Sequence, residues 1–528
     1  MTEHPLWIDF FKSIRPAYKL PTRKVLSTTQ LDKLYRQMQN NIRDDIDEAK
    51  NLHLQLDGWT NINNVGIINF IVSKPEPLFV KFVNTQDYRH TGEYLKEQII
   101  NVLEEYGKEK FFVLIGDNAA NIKKAFELVK KECEIIQPLG CAAHGLHLLC
   151  FDIIQCSNIQ EFMQTAASVV KTIKRSQVLS AVFKKYQLIK KINIQLKLPV
   201  KTRWGSYLYC LDSLNKNKSV LQSLSVDETV TTMLYKNIKT TLLNDETFWP
   251  NVLKLINLLT PIVDAIVSLE SNNTQIHKVR SIINTVENKV NLNISNTLIS
   301  VSEEVGILSK IAKRKEFILG KIHIAAELLD PNTQGKELSN QELVDGLEYI
   351  CDLGSKMNEN VSIELANYQS KDGIFSKKFI WDKDNMQDIK PLQFWKMLYN
   401  ITPLSKIALK ILSAPCTSAA TERSFSTFSW IHNKKRNRLT TERAGKLTYL
   451  SYNWKIKCCE PKSKYSNKIH SVSDNEDSMS VRAETNEVVS SECGSITSES
   501  DTEIESEIPY ADSDSCEEEK SSSVESGM

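Results

Sequence analysis

Residues 52–60 read Leu52-His53-Leu54-Gln55-Leu56-Asp57-Gly58-Trp59-Thr60, and residues 111–117 read Phe111-Phe112-Val113-Leu114-Ile115-Gly116-Asp117. In the first stretch, apolar and polar side chains alternate with the period of two of a half-buried strand, and the alternation ends at an acid. The second is a compact apolar run that closes on Gly116-Asp117, a fourth strand by the same reading. Between them, the β-branched run 65–72 and the shorter run 78–83 predict the second and third strands. Tyr94, Leu95, Ile99, Val102 and Leu103 recur at helical spacing within 92–106. Segments 122–129 and 146–154 also read as helices. The order strand-strand-strand-helix-strand-helix predicts a mixed α/β sheet in which the first and fourth strands lie side by side. Asp57 and Asp117 then sit at neighbouring strand ends, where sheet proteins concentrate function.

Beyond residue 157 the pattern changes. Long amphipathic segments such as 248–269 and 342–352 dominate, and no tandem repeat is present, which predicts a large all-helical insertion over 158–400. Ser413-Ala414-Pro415 breaks the chain, and helices are expected over 418–429 and 440–454. The expected layout is a helical lead-in (1–50), the first part of the α/β core (51–157), the helical insertion, a C-terminal region that completes the core (401–458) and a tail (459–528). The tail is rich in Ser, Glu and Asp and is expected to be disordered. Ser513 and Ser515 precede Glu517, Glu518 and Glu519, a pattern suited to an acid-directed kinase.

The net charge of +1 hides an asymmetry. Residues 471–528 carry 17 acids and 2 bases, whereas residues 1–470 carry 64 bases and 48 acids. A basic body suits a polyanion, because neutralised phosphates release counterions; a solvated lysine-rich surface has the same composition. No basic-then-apolar leader opens the chain. No apolar run is read as approaching the ~18 residues of a membrane span, so no membrane partner is expected. The 11 cysteines lack a secreted-type spacing and read as reduced thiols.

Three acids stand out as metal ligands: Asp57, Asp117 and Glu422, the last in Thr421-Glu422-Arg423-Ser424-Phe425. Hard oxygen donors from separate elements are what Mg²⁺ or Mn²⁺ requires, and two such ions can activate a nucleophile and stabilise a leaving oxygen of a phosphodiester. The plainer alternatives are a turn or cap role for each Asp and a surface ion pair for Glu422. Cys141 and His144, with His147 close by, hint at zinc. A structural zinc site takes four ligands and no fourth is evident, so zinc is not expected. Arg203 and Trp204 follow a basic run that includes Lys190, Lys191, Lys197 and Lys201. An exposed Trp there could stack on an extruded base, and a buried one would anchor the helical region. Lys434, Lys435, Arg436 and Arg438 could contact phosphate, act as a nuclear import signal, or form a solvated face.

These motifs, taken in order, resemble the hAT (hobo/Activator) transposase superfamily. Leu56-Asp57-Gly58-Trp59-Thr60-Asn61 and Gly116-Asp117-Asn118-Ala119-Ala120-Asn121 resemble its first and second acid motifs. Cys141-Ala142-Ala143-His144 resembles its Cys-x-x-His element, and Arg203-Trp204 its Arg-Trp element. The segment ending Leu329-Asp330-Pro331 resembles one late in its helical insertion, and Glu422-Arg423-Ser424-Phe425-Ser426 resembles the C-terminal dimerisation region with the third acid. The resemblance implies an RNase H-like core, a DUF659-type catalytic region, and metal-dependent cleavage and transfer of DNA at transposon ends. By motif, Asp57, Asp117 and Glu422 would bind two ions, His144 would lie beside the active site near phosphate, and Trp204 would stack at the flanking DNA. It also implies a nuclear, at least dimeric protein that acts on double-stranded transposon ends and target. The family's N-terminal BED zinc finger has no matching Cys and His before Asp57. Two alternatives stand: a catalytically silent, transposase-derived nuclear protein that binds DNA or protein partners, and an unrelated nuclease.

Overall fold

Five strands form one mixed sheet in the order β3-β2-β1-β4-β5. The strands are β1 (Leu52–Thr60), β2 (Gly66–Ser73), β3 (Pro77–Asn84), β4 (Phe111–Gly116) and β5 (Gln137–Gly140). β1 runs antiparallel to β2 and parallel to β4, β2 is antiparallel to β3, and β4 is parallel to β5. The computed structural model describes residues 2–458 apart from 86, 87, 89, 201–204, 231, 272–274, 296 and 383–388. The expectations for Lys201, Arg203, Trp204 and the tail 459–528 lie outside the described residues.

The helices that frame the sheet are α1 (Leu31–Asp47), α2 (Gly92–Tyr106), α3 (Ala120–Glu132), α4 (Ala142–Ile154), α5 (Phe248–Glu270), α6 (Leu404–Leu412), α7 (Ala419–Ile431) and α8 (Thr441–Cys458). The first four expected strands form where the periodicities place them, and so do α2, α3, α4, α5, α7 and α8. β5 departs from expectation. Its four residues, Gln137-Pro138-Leu139-Gly140, are too short to alternate, and Pro138 removes a ladder donor, which suits only an edge strand.

Three cores follow from which side chains face where. Leu54 and Leu56 of β1 pack with Ile99 of α2, Val129 of α3 and Tyr449 of α8. Phe112 and Ile115 of β4 join Ile322, Leu328, Trp395 and Leu404, so the late part of the helical region and the segment after it cover that part of the sheet. The third core is helical and centres on α5. By length and composition α5 could cross a membrane, which corrects the expectation that no apolar run is long enough. Its Trp249, Leu255, Leu259, Ile262 and Ile266 are buried against neighbouring helices, the packing of a core helix.

The Leu329-Asp330-Pro331 motif is structural. Asp330 Oδ1 accepts the Asn332 N–H at 3.0 Å, and the Trp395 indole donates to the Leu329 carbonyl at 2.7 Å. One turn earlier Glu327 pairs with Arg280, whose guanidinium also grips Glu342 at 2.8 Å. Burial raises the Glu327 carboxyl above its usual range against the pull of Arg280.

The outer edge of β3 carries no further strand. Asn453 of α8 takes its place at Phe79: the Phe79 N–H donates to the Asn453 side-chain oxygen, and the Asn453 amide donates to the Phe79 carbonyl, both at 2.9 Å and buried. This two-point contact satisfies the edge and blocks strand addition there. Asn453→Ala strands both groups, and a buried orphan of this kind costs about 1–3 kcal/mol. Chemical denaturation should show a loss of stability of that order.

Candidate active site

The parallel ladder between β1 and β4 pairs His53 with Val113, Leu54 with Leu114 and Gln55 with Ile115, and stops there. Two residues beyond this last rung stand Asp57 on β1 and Asp117, the residue that follows β4. The register therefore sets the two acids abreast. Asp117 leaves the sheet as expected: its Oδ1 accepts the Ala119 N–H at 3.0 Å in the turn that starts α3. A Cβ on Gly116 would come within 2.8 Å of Ile122, so the tight return of the helix requires a glycine. Asp57 departs from expectation. β1 does not end at it but continues to Thr60, because its pairing with β2 runs on past the end of β4. Asp57 is thus an in-strand acid at the point where one neighbour has left.

β2 also brings in the third acid. Asn69 is the cross-strand partner of Asp57 and shares its face of the sheet. Its buried amide donates to Ser424 Oγ at 2.8 Å, which pins the first turns of α7 over this rung. Trp59, two residues from Asp57 on the same face, packs against Phe425 and Phe428 with ring centroids 5.5 and 5.3 Å apart. Phe425 and Phe428 thus seat α7 on the sheet. Glu422 lies in the first turn of α7, on its exposed side. Neither Asn69 nor Ser424 was singled out from sequence. The available signal was a lone Asn in the apolar run 67–72, on the rung of the acid.

Burial holds the Asp57 carboxyl well above the usual carboxylate range, and the charges of Asp117 and then Glu422 push it further; only the Gly58 N–H, at 2.7 Å, opposes them. The three acids therefore share one electrostatic field. They do not form a tight cluster: among the described residues, no three His, Cys, Asp or Glu side chains stand close enough to hold one metal ion. Glu422 acts on the aspartate pair across a gap.

His144 joins the same site. Burial lowers its pKa while the Asp117 carboxylate pulls it upward. Cys141 is a structural joint. Its buried sulfur accepts the N–H of His144 and that of Ser418, both at 3.4 Å, while the Ala142 N–H donates to the Cys416 carbonyl at 3.3 Å. The start of α4 is thereby tied to the segment that leads into α7. Burial pushes the Cys141 thiol up to about 11, so it stays protonated. His147 pairs with Glu270 at 3.4 Å, and the Glu270 carbonyl accepts from the Arg423 guanidinium at 3.0 Å, which connects the end of α5 to the residue next to Glu422. Lys434, Lys435, Arg436 and Arg438 are exposed, beyond the far end of α7 from Glu422.

Residues 21–169 match a domain of unknown function, DUF659, and residues 364–454 match the hAT family C-terminal dimerisation region. Together the two matches support an hAT-family transposase. The first match holds Asp57, Asp117 and His144, and the second holds Glu422, so both matched regions contribute to this site. The dimerisation region supports self-association of the hAT chain, and it begins at residue 364, upstream of the expected boundary at 401. No curated protein matches the chain.

Because the folded pKa of Asp57 is raised, its ionisation destabilises the fold. The penalty is absent below the unfolded value near 3.8 and grows as pH rises toward the higher folded value. Asp57→Asn removes it. In metal-free buffer the variant should melt above the parent at neutral pH, with the gap closing toward pH 4; a lower melting temperature at neutral pH would contradict this account.

Proposed function

We propose that this hAT chain is the catalytic body of a transposase, which cleaves and transfers DNA strands with Asp57, Asp117 and Glu422 as ligands for two divalent ions, Mg²⁺ or Mn²⁺. The observation that carries the reading is the register of β1 and β4, which sets two aspartates abreast beyond the last rung, with the helix bearing Glu422 pinned over that rung. The strand order, interrupted by helices before the last acid arrives, supports an RNase H-like core.

The donor set fits such ions. It is all hard oxygen, drawn from three elements, and Asp57 carries its charge beside two like charges that a divalent cation would offset. Bound ions would supply Lewis-acid activation of the nucleophile and stabilisation of the leaving oxygen. Around them the chain's own groups bind and orient. Asp57 sits on a rigid strand, Asp117 just past the end of another, and Glu422 on the exposed first turn of α7, close enough for its charge to act on Asp57. His144, buried enough to favour its neutral form, can share a hydrogen bond with a phosphate beside Asp117. Lys201, Arg203 and Trp204 are assigned to the flanking DNA by their motif, and the cluster from Lys434 to Arg438 to its phosphates. Double-stranded transposon ends and target are the partners, and a dimer in the nucleus is the working form.

One observation favours a second reading. The acids do not converge into a three-ligand cluster, as expected of a silent descendant that keeps only DNA or protein binding.

Nicking of supercoiled plasmid by the full chain in Mn²⁺ separates the two. The parent should nick, and Asp117→Ala and Glu422→Gln should each lose at least about a hundredfold in rate, as several kcal/mol of charge stabilisation is removed. Equal nicking by parent and Asp117→Ala sinks the metal-triad assignment. No nicking by a folded parent favours the silent reading.

A further inference from the structure

The exposed side of α7 forms one stripe. Glu422, Ser426 and Trp430 follow each other at intervals of four, while Thr421, Ser424, Phe428 and Ile431 are buried beneath. Trp430 is 67% exposed, unusual for the largest side chain on a helix that otherwise buries its aromatics. It is not bare of chemistry. The Arg436 guanidinium lies 5.8 Å from its ring centroid, and Lys434 and Lys435 are exposed in the same short turn. The Asn433 amide donates to the Trp430 carbonyl at 2.9 Å and so ties that turn to the helix end.

We propose that Trp430 is a stacking platform for an unpaired DNA base, with Arg436 and its two lysine neighbours holding the adjoining phosphates. The inference rests on the DNA reading above and adds a contact that it does not contain. Charge decides the occupant. An apolar partner has no use for a guanidinium beside the indole and two exposed lysines in the same turn, whereas a nucleic-acid strand alternates flat π-faces with negative charge. An arginine beside an aromatic ring is suited to both, because the guanidinium can stack on a ring and grip phosphate with its fork. Geometry sets the distance. Eight residues of helix span about 12 Å, so a strand that runs from the acids along the stripe reaches Trp430 after roughly three or four nucleotides. A fully paired duplex hides its base faces, so the platform acts on an overhang, a flipped base or a melted end.

The test is binding of the full-length chain, in metal-free buffer, to a fluorescent duplex with a four-nucleotide overhang and to the same duplex made blunt. Trp430→Ala should weaken overhang binding about 5- to 150-fold, the weight of one base stacked on an aromatic ring, and leave the blunt duplex within about twofold. Trp430→Phe should keep most of the overhang affinity. Arg436→Gln should weaken both duplexes and lower the salt slope by about one. Overhang binding unchanged in Trp430→Ala overturns the proposal, even if plasmid nicking proceeds. An equal loss on both duplexes with a fall in molecular mass in solution also overturns it, and makes Trp430 a contact between copies. Trp430-dependent overhang binding without nicking upholds the proposal and counts against cleavage alone. A parent chain that binds neither duplex sinks both readings.

Discussion

The parallel pairing of β1 with β4 is the constraint on which the rest depends. Parallel neighbours cannot be joined by a hairpin, so the chain must leave the sheet, cross it and return. Here the excursion runs through β2, β3 and α2 before β4 enters beside β1. β1 becomes the central strand, hydrogen-bonded on both sides. Asp57 lies on it where β4 has ended and β2 has not. That asymmetry opens a gap beside a rigid strand, and the turn after β4 places Asp117 at its rim.

Like charges placed this way oppose folding. Asp57 is half-buried and faces two other acids, and the fold holds it there through bonds made elsewhere. The Asn69–Ser424 hydrogen bond, the packing of Trp59 on α7 and the Cys141 joint all secure the backbone around the acids rather than the acids themselves. A site meant only for stability would place an apolar pair or an opposite charge at these positions. Electrostatic strain retained in a held frame supports the site proposed above.

Several residues that stand out as motif members turn out to be joints. Cys141 ties two distant segments through its sulfur, and Asp330 closes a turn. Glu327 completes a buried ion network with Arg280. Their role is to bring the C-terminal helices back to the sheet across a long helical region. α5 shows why composition alone misleads: a helix apolar enough for a bilayer here packs one side against other helices. A long apolar surface needs cover, and tertiary packing decides whether lipid or protein provides it.

Local periodicity carries the information that the sequence by itself determined. Alternation in 52–57, the apolar run 111–115 and the helical spacing of 92–106 each depend on neighbours along the chain, so the first four strands, their order and the two aspartates were legible. β5 was not, because four residues with a proline show no period. The family motifs marked Glu422, but nothing local places it near Asp57. Only the tertiary structure decided that β1 runs past its acid, that Asn69 ties α7 to the acid's rung, and that the three carboxylates share a field without closing into a cluster. These depend on register and on contacts across more than 300 residues of chain, such as the 355 between Asn69 and Ser424. The exposure of Trp430 is of the same kind. Sequence shows a tryptophan at a helix end, and only the packing of the opposite face shows which way it points.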